Sequence, residues 1–148
     1  MDIIIVGCGK VGSALAEVLS EEHNVTVIDK KEEVIDSIVN DLDVMVIAGN
    51  CLQTDVLEEA NVDKANIFIA VTNSDEVNIL SCLIAKKMKA RHCVARVRNP
   101  EFDKQLVFMR EELGISMMVN PDYNAANEIA KVLRYPEAIN IESFAKGR

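Results

Sequence analysis

The sequence has little aromatic content, no excess of basic residues and no long apolar run. Aromatic side chains make up 4% of the 148 residues, tryptophan is absent, and the formal net charge is −8. Nucleic-acid-binding domains usually show a basic face or stacking aromatics, so no nucleic-acid partner is expected. The longest apolar stretches have the length of strands, far below the roughly 18 residues of a membrane span. We therefore expect a soluble, cytoplasmic protein without direct membrane insertion.

Metal and disulfide patterns are also missing. The four cysteines are widely spaced, with neither C-x-x-C nor a histidine-paired metal pattern, which is typical of reduced thiols in the cytosol. No metal site is expected. No signal peptide is readable, because Asp2 opens the chain and only four apolar residues follow before glycine.

Apolar runs of strand length alternate with segments of helical period. Continuous apolarity within a run indicates a strand buried on both faces, which is typical of a parallel sheet. The pattern predicts a Rossmann fold, a doubly wound six-stranded parallel sheet in the order 3-2-1-4-5-6. The six predicted strands are Ile3–Val6, Val25–Ile28, Val44–Ala48, Ile67–Val71, Cys93–Val97 and Ile115–Val119.

The length and the 49% apolar content suit one domain. We assign residues 1–134 to a nucleotide-binding domain. Residues 135–148 contain no further strand and helix unit, so we expect a linker or the start of a missing C-terminal region, and hence a fragment of a longer protein.

Five further helix starts can be predicted from capping residues. Asp29, Asp55 and Asn73 each precede a glutamate by three residues, as in capping boxes, and Asn99 and Asn120 each precede a proline. The last helix carries an apolar stripe that needs a packing partner. Its members are Ala125, Ala126, Ile129, Ala130 and Leu133.

A glycine motif, G-C-G-K-V-G, follows the first predicted strand directly and opens the first helix. Gly7 permits the tight turn, Gly9 leaves room for a pyrophosphate, and Gly12 lets the helix lie close to the strand. Asp29 ends the next strand 22 residues after Gly7, where a carboxylate accepts hydrogen bonds from a ribose and repels a 2′-phosphate. The motif and its context predict a site for NAD or an adenine nucleotide rather than NADP.

Catalytic residues are not readable. The Tyr-x-x-x-Lys pair of short-chain dehydrogenases is absent, and His23 and His92 are predicted at the amino ends of strands, away from the crevice. We predict no catalytic residue and no enzyme. The alternative is an NAD-dependent oxidoreductase or a subunit of one, with an S-adenosylmethionine enzyme as a weaker third option.

Several motifs together resemble the N-terminal nucleotide-binding domain of the TrkA type, also called KTN or RCK. They are M-D-I-I-I-V-G-C-G-K-V-G, V-I-D, A-G-N-C, A-V-T-N-S-D-E-V-N and A-R-V-R-N-P-E-F. The resemblance runs to about Leu133. It implies a cytosolic regulator of a potassium uptake system or channel, which binds NAD(H) or ATP/ADP and assembles as a homo-oligomer, dimers building a ring. The partner would be a membrane potassium transporter or channel subunit, which places the chain at the inner face of the membrane.

The resemblance also implies a set of nucleotide-binding positions. The glycine turn would hold the phosphates, Asp29 the ribose, and Lys30 would lie near the adenine. Lys10 and Arg98 would reach phosphates, in part those of a neighbouring subunit. The full set is Gly7, Cys8, Gly9, Lys10, Val11, Gly12, Asp29, Lys30, Asn50, Cys51, Thr72, Asn73, Ser74 and Arg98.

Some of these residues have an equally simple structural interpretation. Asp29 and Asn73 are also candidate helix caps, and Lys10 is also a candidate solvated lysine. Arg96 lies on a strand buried on both faces, where an unpaired charge is costly, so we expect it to pair with a carboxylate.

Overall fold

The structure, a computed structural model, describes residues 1–102 and 113–134. Six parallel strands form one sheet in the order β3-β2-β1-β4-β5-β6, which confirms the predicted doubly wound Rossmann fold. The strands are β1 (Asp2–Val6), β2 (Asn24–Asp29), β3 (Met45–Ala48), β4 (Ile67–Ala70), β5 (His92–Arg96) and β6 (Met117–Val119).

Helices connect the strands and cover both faces of the sheet. They are α1 (Lys10–Ser20), α2 (Glu32–Asp41), α3 (Thr54–Glu59), a 3₁₀ turn (Val62–Lys64), α4 (Asp75–Lys87) and α5 (Pro121–Arg134). Residues 100–102 are also helical. No helix in the described part of the chain is long and apolar enough to cross a membrane. The predicted linker, residues 135–148, lies outside the described residues.

Two apolar clusters, one on each face of the sheet, form the core. Ile4 and Val6 of β1 pack into one cluster together with Phe68, whereas Ile3 and Ile5 pack into the other. All five side chains are at most 2% exposed. Alternate residues of a strand point to opposite faces, so burial of both sets explains why the run is apolar without interruption.

The predicted capping boxes are wrong at all three positions. The N-caps of α2, α3 and α4 are Lys31, Gln53 and Ser74. Asp55 lies within the first turn of α3, where its carboxylate still interacts favourably with the positive end of the helix dipole. Asn73 lies one residue before the cap, since the Ser74 hydroxyl accepts the hydrogen bond from Val77 N.

The two asparagine–proline predictions agree with the structure. Asn99 Oδ1 accepts a hydrogen bond from Glu101 N at 2.9 Å, and Asn120 Oδ1 accepts one from Tyr123 N at 3.0 Å.

The apolar stripe of α5 is not covered by the described residues: no residue of this helix is buried, and Ile129 and Leu133 are 61% and 75% exposed.

Candidate nucleotide-binding site

The register of the sheet brings five loops to one edge. Val6 pairs with both Ile28 and Ala70, and Ala70 pairs with Ala95, so these strands end at nearly the same level. Ligands of open α/β sheets bind at this carboxyl edge, where the strand order reverses between β1 and β4. Asp29 is the last residue of β2, and the other predicted site residues follow the ends of β1 to β5 at this edge.

The glycine turn is held tightly between its neighbours. Gly7 has φ +90°, and a Cβ there would lie 2.8 Å from Cα and N of Thr72. A Cβ on Gly12 would lie 1.9 Å from the carbonyl oxygen of Gly7. The turn therefore contacts the loop after β4 on one side and the start of α1 on the other, which confirms the close approach predicted for Gly12.

Gly9 differs from the other two glycines because it faces open space. No atom of the described residues lies within 4 Å of a Cβ placed on Gly9, which is the N-cap of α1 and provides no side-chain cap. The first turn of α1 contains no acidic residue, and the Lys10 and Val11 side chains are exposed. Uncapped first-turn N–H groups at the positive end of a helix suit an anion, and the room at Gly9 suits a phosphate.

Asp29 joins the glycine turn to the loop after β2. Its Oδ2 accepts a hydrogen bond from Cys8 N at 2.7 Å, and its Oδ1 accepts one from Lys31 N at 3.0 Å. The N–H of Cys8 is thus already bonded within the chain. Each carboxylate oxygen retains a second lone pair, so Asp29 keeps the capacity to accept a ribose hydroxyl.

The two cysteines of the predicted site are buried, at 3% exposure for Cys8 and 7% for Cys51. Burial raises the pKa of both thiols. Their side chains therefore form part of the apolar packing behind the site. In the same region Lys30 and Asn50 are exposed, and Asn50 Oδ1 accepts a hydrogen bond from Leu52 N at 3.1 Å.

The loop after β4 is bonded to α4 through Asn78, a residue that the sequence analysis did not nominate. Asn78 Oδ1 accepts hydrogen bonds from N and Oγ1 of Thr72, at 2.8 and 2.7 Å. The Ser74 hydroxyl is engaged with Val77 N and Glu76 Oε2. Thr72 and Ser74 thus lie at the predicted place, with their hydroxyls bonded inside the chain. Asn73 is exposed beside them.

The loop after β5 is bonded to α4 through a second overlooked residue, Asp75. Its Oδ2 accepts hydrogen bonds from the backbone N–H groups of Arg98 and Asn99, at 2.9 and 2.8 Å. The Arg98 guanidinium donates from Nη2 to Asn73 O at 2.7 Å and lies 3.8 Å from Asp75 Oδ1 through Nε. The Arg98 side chain is 41% exposed, so it remains within reach of a ligand.

The spacing of Asp75 and Asn78 on α4 is the feature of the sequence that could have identified them as site residues. Asp75 and Asn78 are three residues apart, hence on one face of the helix, and that face is otherwise built from small or apolar residues such as Cys82 and Ala85. Polar side chains on an inward face need partners, and the neighbouring loop ends supply them.

The ion pair expected for Arg96 is not found. Within the described residues Arg96 takes part in no salt bridge, and its buried Nε has no hydrogen-bond partner. His23 and His92 lie where predicted, one just before β2 and the other at the first position of β5, both at the edge opposite the site.

The sheet order and the glycine turn define a Rossmann-type domain of the class that binds nucleotides. The TrkA-N domain family matches residues 3–121. The chain belongs to this family, as the resemblance implied.

A relative from Archaeoglobus fulgidus, the Trk system potassium uptake protein TrkA homolog, is 38% identical over 148 residues. The match covers 100% of this chain and 34% of the relative, so the chain spans about a third of that protein. The relative is named for potassium uptake rather than for a reaction.

Two solved structures of the GsuK channel, both 27% identical to this chain, resemble the fold closely. The channel bound to NAD superimposes with a TM-score of 0.73 over 92% of this chain and 24% of the channel chain. GsuK bound to ADP superimposes with a TM-score of 0.72 over 92% of this chain and 34% of that chain.

Proposed function

We propose that this chain is a nucleotide-sensing regulatory domain that controls a potassium uptake system or channel, with NAD(H) or ATP/ADP as the ligand. The observation that carries the proposal is the open position of Gly9 at the uncapped N-terminus of α1. Membership of the TrkA-N family and the NAD and ADP complexes of the related GsuK channel support it.

The phosphates would lie against the first turn of α1, whose backbone N–H groups favour negative charge. Asp29 would accept the adenosine ribose with its remaining lone pairs, which disfavours a 2′-phosphate there. Lys30 and Asn50, both exposed beside Asp29, would lie on the adenine side. Cys8 and Cys51 would shape this part of the site from behind, since both side chains are buried.

The opposite wall would consist of the loops after β4 and β5. Thr72, Asn73 and Ser74 would flank the phosphates, with Thr72 packed against Gly7. Arg98 and the exposed Lys10 would supply positive charge to a di- or triphosphate. The Arg98 guanidinium has five N–H donors and donates from Nη2 to the Asn73 carbonyl, so donors remain for a phosphate.

The regulatory action would need assembly and a membrane partner. A homo-oligomer, with dimers building a ring, would bury the uncovered stripe of α5, whose Ile129 and Leu133 are largely exposed. The partner would be a potassium transporter or channel subunit, which would hold this chain at the cytoplasmic face of the membrane. Residues 1–134 would form the nucleotide-binding domain, and residues 135–148 would lead to a further region.

Calorimetric titration tests the nucleotide site. NADH, NAD, ATP and ADP are each titrated into the wild-type chain, Gly9→Leu and Ala14→Leu. Gly9→Leu fills the open space at the turn and is expected to weaken binding at least tenfold. Ala14→Leu, which adds a larger side chain to the exposed side of the same helix, is the matched control and should bind as wild type.

Two results would contradict the proposal. Wild-type protein that binds none of the four nucleotides at millimolar concentration would exclude a nucleotide sensor. Steady oxidation of NADH in the presence of a small carbonyl substrate, measured as the loss of nicotinamide absorbance, would favour the oxidoreductase alternative instead.

A further inference from the structure

We infer that Asn78 is a positioning residue of the nucleotide site, which holds the loop after β4 against the glycine turn without touching the ligand. The inference rests on the proposed function. Asn78 lies in the first turns of α4 and is completely buried, at 0% exposure, so direct contact with a nucleotide is excluded.

The Asn78 amide makes every hydrogen bond of which it is capable. Oδ1 accepts from N and Oγ1 of Thr72, at 2.8 and 2.7 Å, and Nδ2 donates to Thr72 O at 3.2 Å and to Arg96 O at 2.9 Å. A side-chain amide has two acceptor sites and two donor hydrogens, so its capacity is used completely. Rotating the amide by 180° would set its NH₂ against the N–H of Thr72, so the network also fixes its orientation.

These contacts determine where the backbone of Thr72 lies. Both its N–H and its carbonyl are bonded to Asn78, at the point where the chain leaves β4. Val71, one residue earlier, still follows the sheet, because its N–H donates to Val6 O at 2.8 Å. The amide of Asn78 thus takes over backbone bonding where the strand ladder stops.

The position of Thr72 in turn restricts the conformation of the glycine turn. Its Cα and N lie only 2.8 Å from the position of a Cβ on Gly7, so the two loops are in direct contact through a residue that has no side chain. A shift of Thr72 by a few tenths of an ångström would change the packing of Gly7 and, through it, the approach to the N-terminus of α1. Asn78 thereby acts on the phosphate site through two backbone contacts.

The polar character of Asn78 is hard to explain by packing alone. The apolar cluster on that face of the sheet includes Cys82, one turn further along α4, and Val97, next to Arg96. An apolar side chain of the same volume at position 78 would be buried without the cost of desolvating an amide. An amide that is fully satisfied specifies one arrangement of the loops after β4 and β5. That is the role expected of a positioning residue.

The experiment compares Asn78→Ala with Ser81→Ala. Ser81 is also 0% exposed and lies one turn further along α4, but among the described residues its hydroxyl bonds only the carbonyl of Asn78. Both variants should lower the Tm. Only Asn78→Ala should raise the Kd for the nucleotide that the wild-type chain binds, by tenfold or more, with ATP, ADP, NAD and NADH as probes in calorimetry. Ser81→Ala should stay within twofold of wild type.

A second variant covers the case in which Asn78→Ala fails to fold. Asn78→Ser keeps a neutral polar group at this buried position but cannot make all four hydrogen bonds of the amide. We expect at least fivefold weaker binding and, in ¹⁵N-labelled protein, shifted amide resonances of Thr72 and Gly7, whereas Ser81→Ala leaves both unchanged.

Three outcomes would overturn the inference. Wild-type affinity in a folded Asn78 variant would show that Asn78 is dispensable for the site. Equal weakening by Ser81→Ala would show a general effect of lost stability. Absence of nucleotide binding by the wild-type chain would instead remove the proposed function, and this inference would fall with it.

Discussion

Alanine substitutions at the three glycines of the turn should separate folding from binding. At Gly12 an added Cβ would lie 1.9 Å from the Gly7 carbonyl oxygen. An unstrained carbon–oxygen contact is about 3.3 Å or more, so the start of α1 would have to move by roughly 1.4 Å. Overpacking of a well-packed core costs about 1–3 kcal/mol of stability, and a backbone carbonyl can move aside less easily than a side chain. We therefore expect Gly12→Ala to lower the free energy of unfolding by about 3 kcal/mol or more.

Gly7→Ala should be similarly costly for two reasons. Its φ of +90° disfavours any residue with a Cβ, at about 1–3 kcal/mol, and the Cβ would also lie 2.8 Å from the Thr72 backbone. Gly9→Ala should change stability by no more than about 0.5 kcal/mol, because the part of the chain that the structure describes leaves 4 Å free around its Cβ and its φ of −72° is an ordinary one.

Thermal unfolding followed by circular dichroism measures the difference. In a chain of this size a loss of 1 kcal/mol lowers the Tm by roughly 2–4 °C, so Gly7→Ala and Gly12→Ala should each melt roughly 6–12 °C below wild type. Gly9→Ala should melt within about 2 °C of wild type on the same scale. The reasoning would be refuted by a Gly9→Ala variant as unstable as Gly12→Ala, or by a Gly12→Ala variant as stable as wild type.

Asp29→Asn should lower the urea midpoint by the equivalent of about 1–3 kcal/mol, because Cys8 N and Lys31 N donate to different carboxylate oxygens and an amide has only one oxygen; an unchanged midpoint would contradict the contacts seen. Ser74→Ala should cost about 1 kcal/mol in the same assay as a lost N-cap. The hydrogen bond from Ser74 also lowers the pKa of Glu76. The stabilisation from this hydrogen bond is therefore present above the ordinary glutamate pKa and is lost as pH falls through the lower pKa of the folded state. An NMR titration of Ser74→Ala should show that the pKa of Glu76 rises again. All four cysteines are buried, so a chromogenic disulfide reagent should react slowly with the native chain and fully in denaturant; rapid native reaction of Cys8 or Cys51 would contradict their burial.

The sheet could be predicted almost completely from the sequence because its evidence is local and repeated. Apart from Thr26, Arg96 and Ser116, all residues of the six runs are apolar, which indicates burial on both faces. The order follows from the handedness of parallel crossovers and the glycine turn after β1. Four of the twelve predicted strand ends agree with the structure, and the other eight differ by one or two residues. Ile115, for example, is buried at 3% exposure but precedes β6, because burial does not require pairing in the sheet.

The polar contacts at the edge of the sheet could not be predicted in the same way. Asp29 has the spacing of a capping box, yet its carboxylate bonds Cys8 N, a partner 21 positions away in the chain. Asp75 and Asn78 bond residues 18 to 24 positions away. Sequence patterns report on neighbours within a turn of helix, whereas these partners are defined only once the strands are in register.

The two sides of the site therefore offer a ligand different kinds of contact. On the side of β1 and β2, the first turn of α1 has N–H groups without a side-chain cap. On the side of β4 and β5, the polar groups of Thr72 and the guanidinium of Arg98 are already bonded within the chain. A ligand whose phosphates draw the Arg98 guanidinium away from the loop after β4 weakens its 2.7 Å bond to Asn73 O, whereas a ligand that binds only the α1 side leaves that bond intact. Ligands shift a conformational equilibrium only through unequal affinity for its two states, and this contact gives nucleotides of different phosphate length a physical means to differ.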